Sequence, residues 1–216
     1  NPPTASALKH FFNSQRPMIL GIVEPLISFD DWMSFNWVNL GYFCIVKTTN
    51  ENGVDNLWVI KHDYIHLTSV DVSTQVITLF SIYNATPLSL SFVYASYSYT
   101  RRRALWEKLI TLYGIIKNIW IVIGDLNTVL HPDEKIGSNF SRSAAEDFSF
   151  YLDTCDFIEV PVSGASFTWG SFTINGRHAN KLDNCFYRIN DGSSPLDVSG
   201  ITLPKFHSYH NPSIAN

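Results

Sequence analysis

The feature that most constrains the fold is a change of hydrophobic periodicity along the chain. Between residues 18 and 96, short apolar or alternating runs follow one another, separated by Asn, Gly, Asp and Pro, a pattern typical of β-strands. After Tyr99 the apolar residues recur at helical spacing, and short strand-like runs return in the last third of the chain. Strands, then helices, then strands again predict a mixed α/β domain with helices packed outside stacked sheets.

Local signals place individual elements within this pattern. A short helix is predicted over residues 5–15 and a buried strand over residues 18–25. A longer helix is predicted to be capped by Thr100 and ended by Gly114, and a further helix spans about residues 143–155. The segment 118–125, NIWIVIGD, is the most apolar strand candidate and is expected to lie in the core.

Composition excludes several classes of protein. The 216 residues are 45% hydrophobic and 16% charged, so the chain is expected to form one well-packed domain, 1–216, and not a disordered segment. The best candidate for a membrane span is interrupted by Lys117 and Asp125 before it reaches the ~18 apolar residues required. The N-terminal residues lack the apolar stretch of a secretory signal. We therefore expect an intracellular protein, nuclear or cytoplasmic, that is neither secreted nor embedded in a membrane.

Cysteine spacing and charge add two further expectations. Cys44, Cys155 and Cys185 are far apart and odd in number, which favours free thiols over a disulfide or zinc framework. The net charge of -4 argues against a broadly basic surface. The only concentrated positive charge is the run Arg101, Arg102, Arg103, which is either a solvated helix start or a phosphate contact.

Polar residues at two strand ends are the candidates for chemistry. Asp125 and Asn127 follow the apolar strand, and on an extended backbone their side chains would lie on the same side. Such a pair could hold a metal-bound water and a phosphate oxygen, or it could simply terminate the strand as turn formers. Glu24, before Pro25, is a possible ligand for a hard cation such as Mg2+ or a solvated side chain. The sequence contains no P-loop, nucleophile elbow, HExxH or GxGxxG motif.

Seven motifs in a fixed order carry a resemblance to a known family. They are RPMILGIVEP, SFVYAS, RRRALWEKL, WIVIGDLNTVLHPDEKIG, GASFTWGS, NKLDNCFYR and LPKFHSYHNP. This succession resembles the endonuclease/exonuclease/phosphatase domain, in particular the apurinic-endonuclease-like domain of plant non-LTR (LINE-type) retrotransposons. The resemblance implies a DNase I-like, four-layered α/β sandwich of two packed mixed β-sheets flanked by helices. The family's opening strand is expected to be missing before Asn1, and the C-terminus is expected to be short.

The resemblance also implies a role for each matching residue. Glu24 would bind the divalent metal, Mg2+ or Mn2+, and Tyr94 would contact the scissile phosphate. Asp125 would activate or orient the attacking water, while Asn127 would hold a phosphate oxygen. The implied reaction is metal-assisted hydrolysis of a phosphodiester, in which the metal polarises the phosphoryl group.

The remaining motif residues would complete the site from the C-terminal third of the chain. Asp183 matches the aspartate that supports the catalytic histidine, His210 matches that histidine, and Thr168 and Trp169 match a pair that shapes the site. The family's closing Ser-Asp-His motif reads Ser-Tyr-His here, so Tyr209 stands where a carboxylate is usual. Loss of a supporting group near a metal typically lowers affinity or activity ~10 to 100-fold.

Three functions therefore remain open from the sequence. The leading one is Mg2+-dependent hydrolysis of DNA by a retrotransposon-type endonuclease whose activity is impaired. Its partners would be DNA and a reverse transcriptase domain in a longer parent polyprotein. A second is a non-catalytic remnant or weak nucleic-acid-binding module. A third is a phosphatase acting on a soluble phosphoester, because one fold hosts many chemistries.

Overall fold

The structure is a computed structural model that describes residues 2–25, 28–34, 37–174, 176–189, 198–205 and 208–216. Its α-helices within those ranges are α1 (Pro2–Gln15), α2 (Phe29–Ser34), α3 (Tyr99–Ile115) and α4 (Arg142–Thr154). Short 3-10 helices span Trp37–Leu40 and Pro132–Glu134. None of the described helices is both long enough and apolar enough to cross a membrane.

The strands fall into two groups along the chain. The first group precedes α3 and consists of β1 (Ile19–Val23), β2 (Tyr42–Thr49), β3 (Asp55–His62), β4 (Thr68–Val72), β5 (Val76–Tyr83) and β6 (Thr86–Tyr94). The second group follows it and consists of β7 (Ile119–Asp125), β8 (Lys135–Ile136), β9 (Ile158–Glu159), β10 (Val162–Gly164), β11 (Trp169–Thr173), β12 (Gly176–Asn180), β13 (Asp183–Arg188), β14 (Gly200–Thr202) and β15 (Ser213–Ala215).

A six-stranded mixed sheet forms the centre of the molecule, in the order β4-β5-β6-β7-β13-β9. Its only parallel pair is β6 with β7, joined by the crossover helix α3, and the other neighbours are antiparallel. An antiparallel sheet, β1-β3-β2, packs against one face. The mixed sheet β10-β14-β15 lies beside it, and β15 also contacts β13. A small antiparallel sheet, β11-β12-β8, extends from this body.

Alternation of side chains along β3 explains how the sheets stack. Leu57 and Val59 point into an apolar layer between the two sheets, which they share with residues of β5 and β6. Trp58 and Ile60 point the other way, into an aromatic cluster with Phe12 of α1. Because both faces of β3 are buried, the strand reads as a nearly continuous apolar run.

The opposite face of the six-stranded sheet is covered by α3 and α4. Trp120 and Val122 of β7 pack there against Leu109 of α3 and Phe148 of α4. The layers are thus helix, sheet, sheet and helix, and the prediction of a four-layered α/β sandwich is confirmed. Cys44, Cys155 and Cys185 are free thiols, as expected.

Two predictions about α3 are wrong in detail. The helix begins after Ser98, so Thr100 lies inside its first turn, and it continues through Gly114 to Ile115. Gly114 does not end the helix because the chain is held one turn further on. The Ile116 N–H donates to the Leu112 carbonyl, and the Ile116 side chain is buried. Helix α2 was not predicted from the sequence, because its six residues are too few to show a helical period.

Candidate active site

Strand register brings three predicted residues into one row across the central sheet. Tyr94 of β6 is the register partner of Asp125 of β7, and Asp183 of β13 is the partner of Asp125 on its other side. Register partners on adjacent strands lie about 5 Å apart. Because the parallel strands β6 and β7 end in this row and the antiparallel β13 begins there, the three side chains share one edge of the sheet.

His210 joins this row from a distant part of the chain. Its backbone forms an isolated bridge with Trp169, and its N–H donates to Ser208 Oγ at 3.0 Å. The imidazole Nδ1 lies 2.8 Å from Asp183 Oδ2, and Nε2 lies 3.9 Å from Asp125 Oδ2. The possible ligand atoms of Asp125, Asp183 and His210 all lie within 4.8 Å of one another. The three groups therefore form one compact titratable cluster.

Asp125 and Asn127 are held by a local turn and not by an extended strand. Strand β7 ends at Asp125, and Asn127 has φ +47°, a left-handed conformation that Asn tolerates better than most residues. The Asn127 N–H donates to Asp125 Oδ1 at 2.8 Å, and its side-chain amide donates to the Ala95 carbonyl at 2.7 Å. The prediction that both side chains project from an extended backbone is therefore wrong, although the two remain adjacent.

Gly124 allows this row to form. Its φ is +142°, and a Cβ at this position would lie 2.0 Å from the Val93 carbonyl oxygen of β6. Only glycine permits that approach of the two backbones. The glycine before Asp125 thus fixes the spacing between Tyr94 and Asp125.

Glu24 completes the site from the second sheet. It follows β1 with φ +46°, and its N–H donates to the Asn56 carbonyl at 2.9 Å. The Tyr94 hydroxyl donates a short hydrogen bond to Glu24 Oε1. Glu24, Asp125, Asp183 and His210 line a single cavity. A non-glycine residue in the left-handed region is strained, and such strain concentrates at functional sites.

Burial and neighbouring charge shift the protonation of this cluster. Burial raises the pKa of Asp125 to about 7, with the Asp183 charge adding to the shift and His210 opposing it. Burial lowers the pKa of His210, but the hydrogen bond and the charge of Asp183 outweigh it, so the net shift is upward. Burial, together with the hydrogen bond to Glu24, raises the pKa of Tyr94. At neutral pH the cluster can therefore both hold and release protons.

Thr168 and Trp169 hold the segments that carry the cluster, Thr168 through a hydrogen bond to the Asp183 N–H and Trp169 through its backbone bridge with His210. Thr168 is 2% exposed, and its Oγ1 accepts from the N–H groups of Leu182 and Asp183, each at 2.9 Å. The Thr168 carbonyl accepts from the Asn211 N–H at 2.6 Å. Thr168 therefore ties the start of β13 to the segment that carries His210.

The three consecutive arginines have different environments. Arg102 is buried and donates from Nη1 to the Ser96 and Tyr97 carbonyls at 2.9 and 2.8 Å. Arg101 pairs with a carboxylate of Glu51 at 2.7 Å, and Arg103 lies 3.3 Å from one of Asp147, with more than half of each arginine side chain exposed. Arg101 and Arg103 are therefore the members of the run with side chains accessible to a phosphate.

A partly buried ion-pair network that sequence reasoning missed supports the loop after Asn127. The Glu134 carboxylate accepts from the Leu130 N–H at 2.7 Å and pairs with Lys181 Nζ at 3.0 Å. Lys181 also pairs with Glu159 at 2.5 Å. Lys181 stands two residues before Asp183, so the network links the Asn127 loop to the start of β13. No local pattern pairs residues 47 positions apart, so sequence alone gave no signal for it.

The donor set fits a hard divalent cation. Glu24 and Asp125 offer carboxylate oxygens in one cavity, and Mg2+ is typically held by one or two protein carboxylates with water and substrate oxygens. His210 is already hydrogen-bonded to Asp183, which orients its ring. Tyr209, by contrast, is 69% exposed and brings no carboxylate to the site.

Comparison with solved structures places this architecture among known folds. The endonuclease domain of TRAS1, a telomere-specific non-LTR retrotransposon, superposes with a TM-score of 0.74, covering 100% of this chain and 93% of that one at 13% identity. The AP endonuclease from Archaeoglobus fulgidus gives a TM-score of 0.69, covering 98% and 93% of the two chains at 12% identity. The chain has the DNase I-like, endonuclease/exonuclease/phosphatase fold.

A further similar solved structure is that of a sphingomyelinase. Sphingomyelinase C from Streptomyces griseocarneus superposes with a TM-score of 0.67, covering 98% of this chain and 90% of that one at 11% identity. No protein-family model matches the sequence, and no curated protein matches it. At these identities the likeness establishes the fold, and the chemistry has to be argued from the site.

Proposed function

We propose that this DNase I-like domain hydrolyses phosphodiester bonds of DNA with the help of Mg2+ or Mn2+. The observation that carries the proposal is the convergence of Asp125, Asp183 and His210 within one cluster, with Asn127 and Glu24 beside it. These groups come from four separate places in the sequence, so their meeting is not a product of local structure.

The cluster supplies the groups that phosphodiester hydrolysis needs. Asp125, with a pKa of about 7, accepts a proton from the attacking water at neutral pH. His210, held by Asp183 and with a raised pKa, presents positive charge where negative charge develops on the phosphoryl oxygens. Asn127 and Tyr94 position the phosphate. A divalent ion held by Glu24 would polarise the phosphoryl group and ease departure of the leaving oxygen.

DNA is the substrate that the ordered motifs and two of the similar structures favour. Both TRAS1 and the archaeal AP endonuclease are endonucleases of the same fold. We place the domain beside a reverse transcriptase domain in a longer parent polyprotein of LINE type, with a nuclear or cytoplasmic location. The exposed side chains of Arg101 and Arg103 are the proposed phosphate contacts outside the cluster.

The proposal is tested by nicking of supercoiled plasmid in the presence of Mg2+. Wild-type protein is expected to produce open circles, Asp125→Ala is expected to produce none, and the matched change at the exposed Asp133, Asp133→Ala, is expected to have no effect. Wild-type protein as inert as Asp125→Ala would exclude catalysis by this chain and favour a non-catalytic remnant or weak nucleic-acid-binding module.

The finer proposal is that turnover is impaired by Tyr209. A neutral phenol there supplies no charge toward the metal side of the site, and such losses typically lower activity ~10 to 100-fold. Tyr209→Asp is therefore expected to raise the nicking rate, with Tyr209→Asn as the uncharged control. Equal nicking rates for wild type and Tyr209→Asp would show that Tyr209 does not impair turnover.

A further inference from the structure

Asn56 occupies an irregular position on β3, beside Glu24. The register between β2 and β3 shifts by one residue between Thr48 and Thr49, which leaves Asn56 as the extra residue of a β-bulge. A bulge takes one residue out of the regular ladder and redirects its side chain. The Asn56 carbonyl accepts from the Glu24 N–H at 2.9 Å, just beyond the last register pair of β1 and β3. The bulge therefore holds the backbone that carries Glu24.

The Asn56 side chain is buried and bonded at both ends of its amide. Its Oδ1 accepts from the Thr48 hydroxyl at 2.7 Å, and its Nδ2 donates to the Thr74 carbonyl at 2.6 Å. Thr74 lies in the turn between β4 and β5. Because these two bonds need the amide oxygen on one side and the amide nitrogen on the other, they fix its orientation. Asn56 therefore fixes the bulge relative to the β4-β5 turn.

Gln75, the next residue of that turn, extends the connection to Tyr94. Its backbone carbonyl accepts from the Tyr94 N–H at 2.9 Å, and its Oε1 accepts from the Ser96 N–H at 2.6 Å. Its Nε2 donates to the Arg101 carbonyl at 3.0 Å. Gln75 therefore holds the backbone at Tyr94 and two residues beyond it.

The hydrogen bond from the Tyr94 hydroxyl to Glu24 closes these contacts into a ring. Glu24 follows β1 of the sheet β1-β3-β2, whereas Tyr94 ends β6 of the central sheet, so the ring spans the two sheets. Glu24 also has φ +46°, and a left-handed conformation persists when the surrounding structure holds it in place. Asn56 and Gln75 supply the directional bonds on either side of this pair.

We propose that Asn56 and Gln75 are positioning residues that set the place of Glu24 relative to Tyr94 and thereby the affinity for a divalent cation. The inference rests on the proposed function, because it concerns the cation that Glu24 would bind. Groups that orient a metal ligand through a hydrogen bond typically change metal affinity ~10 to 100-fold. Asn56 acts on Glu24 through its carbonyl, and Gln75 acts through Tyr94.

Binding of Mn2+ to the full chain, measured by electron paramagnetic resonance of the free ion, tests this assignment without turnover. Asn56→Leu and Gln75→Met remove the amide groups and keep side chains of similar size. Each is expected to weaken Mn2+ binding by about tenfold or more. In a Glu24→Gln background, where the metal-binding carboxylate is absent, neither change should weaken binding further.

Thr78→Val is the matched control for a loss of stability alone. Thr78 is buried in the central sheet, and its Oγ1 is hydrogen-bonded to Ser91 Oγ at 2.7 Å. The change removes a buried hydrogen bond at nearly constant size, so it should lower stability in urea unfolding and leave Mn2+ affinity unchanged. Gln75 lies half-buried in a turn, so Gln75→Met carries the test if Asn56→Leu does not fold.

Several results would overturn the positioning role. They are equal Mn2+ affinity in wild type and both variants, the same weakening in Thr78→Val, further weakening in the Glu24→Gln background, and a wild-type affinity that does not depend on Glu24. Plasmid nicking by the wild type is measured separately. Nicking together with unchanged Mn2+ affinity in the variants would remove the positioning role alone. An inert wild type with the expected changes in affinity would remove the proposed hydrolysis alone.

Discussion

Asp125 is expected to be a liability for folding, and Asp125→Asn should therefore stabilise the protein at alkaline pH. The carboxyl is 2% exposed, and its pKa in the folded protein is about 7 against an ordinary value of 3.8. The folded state binds this proton more tightly than the unfolded state, so folding free energy is lost as pH rises from about 4 to above 7. A difference of this size in pKa corresponds to a free energy on the order of a few kcal/mol.

The net gain from the substitution should be somewhat smaller. The amide oxygen of an asparagine can still accept from the Asn127 N–H, but about 1 kcal/mol is expected to be lost from rearranged hydrogen bonds. His210 has a raised pKa and titrates together with Asp125, and its stabilisation is likewise lost as pH rises through its folded pKa. We expect Asp125→Asn to gain about 2–3 kcal/mol at pH 8 and to lose about 1 kcal/mol at pH 4, where only the hydrogen-bond loss remains.

Urea unfolding at pH 4, 6, 7 and 8 in the presence of a chelator measures this gain. Asp133→Asn, at an exposed carboxylate, is the control and should show no pH-dependent change. A loss of stability in Asp125→Asn at pH 8, or a gain that is the same at every pH, would refute the argument from burial. A stabilised variant without nicking activity is the combination expected when a residue serves chemistry and not folding.

Two further predictions concern stability. Arg102→Met should lower the free energy of unfolding by about 2–4 kcal/mol, because it leaves two carbonyls without their charged donor. Arg101→Met should change the free energy of unfolding by less than about 1 kcal/mol, since its ion pair is exposed. Equal effects of the two variants in urea unfolding would contradict the difference in burial. Gly124→Ala should destabilise by more than about 3 kcal/mol, because its Cβ would overlap the Val93 carbonyl. Gly114→Ala, in open space on a helix, should stabilise by about 0.5–1 kcal/mol, and thermal melts of the pair that did not differ in sign would contradict the reasoning.

Hydrophobic period was a good guide to the elements that are buried on one or both sides. It predicted β7 and both long helices, because Trp120 and Leu109 belong to patterns that one packed face imposes. It could also have identified Arg102 as buried, since residues 102, 105, 106 and 109 follow the spacing of the inner face of α3. Arg101 and Arg103 do not lie on that face of α3. Treating the three arginines as one cluster concealed this difference.

The candidate site was accessible to sequence in part only. Local reasoning found Asp125 and Asn127 at a strand end, but it left a turn-forming role equally open, and nothing local pointed to Asp183 or His210. Those two came from the order of motifs, because a contact across 27 residues depends on strand register and on the path of the chain. The positive φ of Asn127 also escaped prediction, since it follows from the hydrogen bond to Ala95 and not from the sequence around it.

A double-mutant cycle tests whether Glu24 and His210, which are distant in sequence, act together in the proposed metal-assisted phosphodiesterase centre. The rate of Mg2+-dependent nicking is measured for wild type, Glu24→Gln, His210→Gln and the double variant. Each single change should lower the rate by about 100-fold or more, and the double variant should be little slower than the slower single one, because the groups act as a unit. Losses that multiply as for independent sites, or wild-type protein without nicking activity, would show that these residues do not form one catalytic centre.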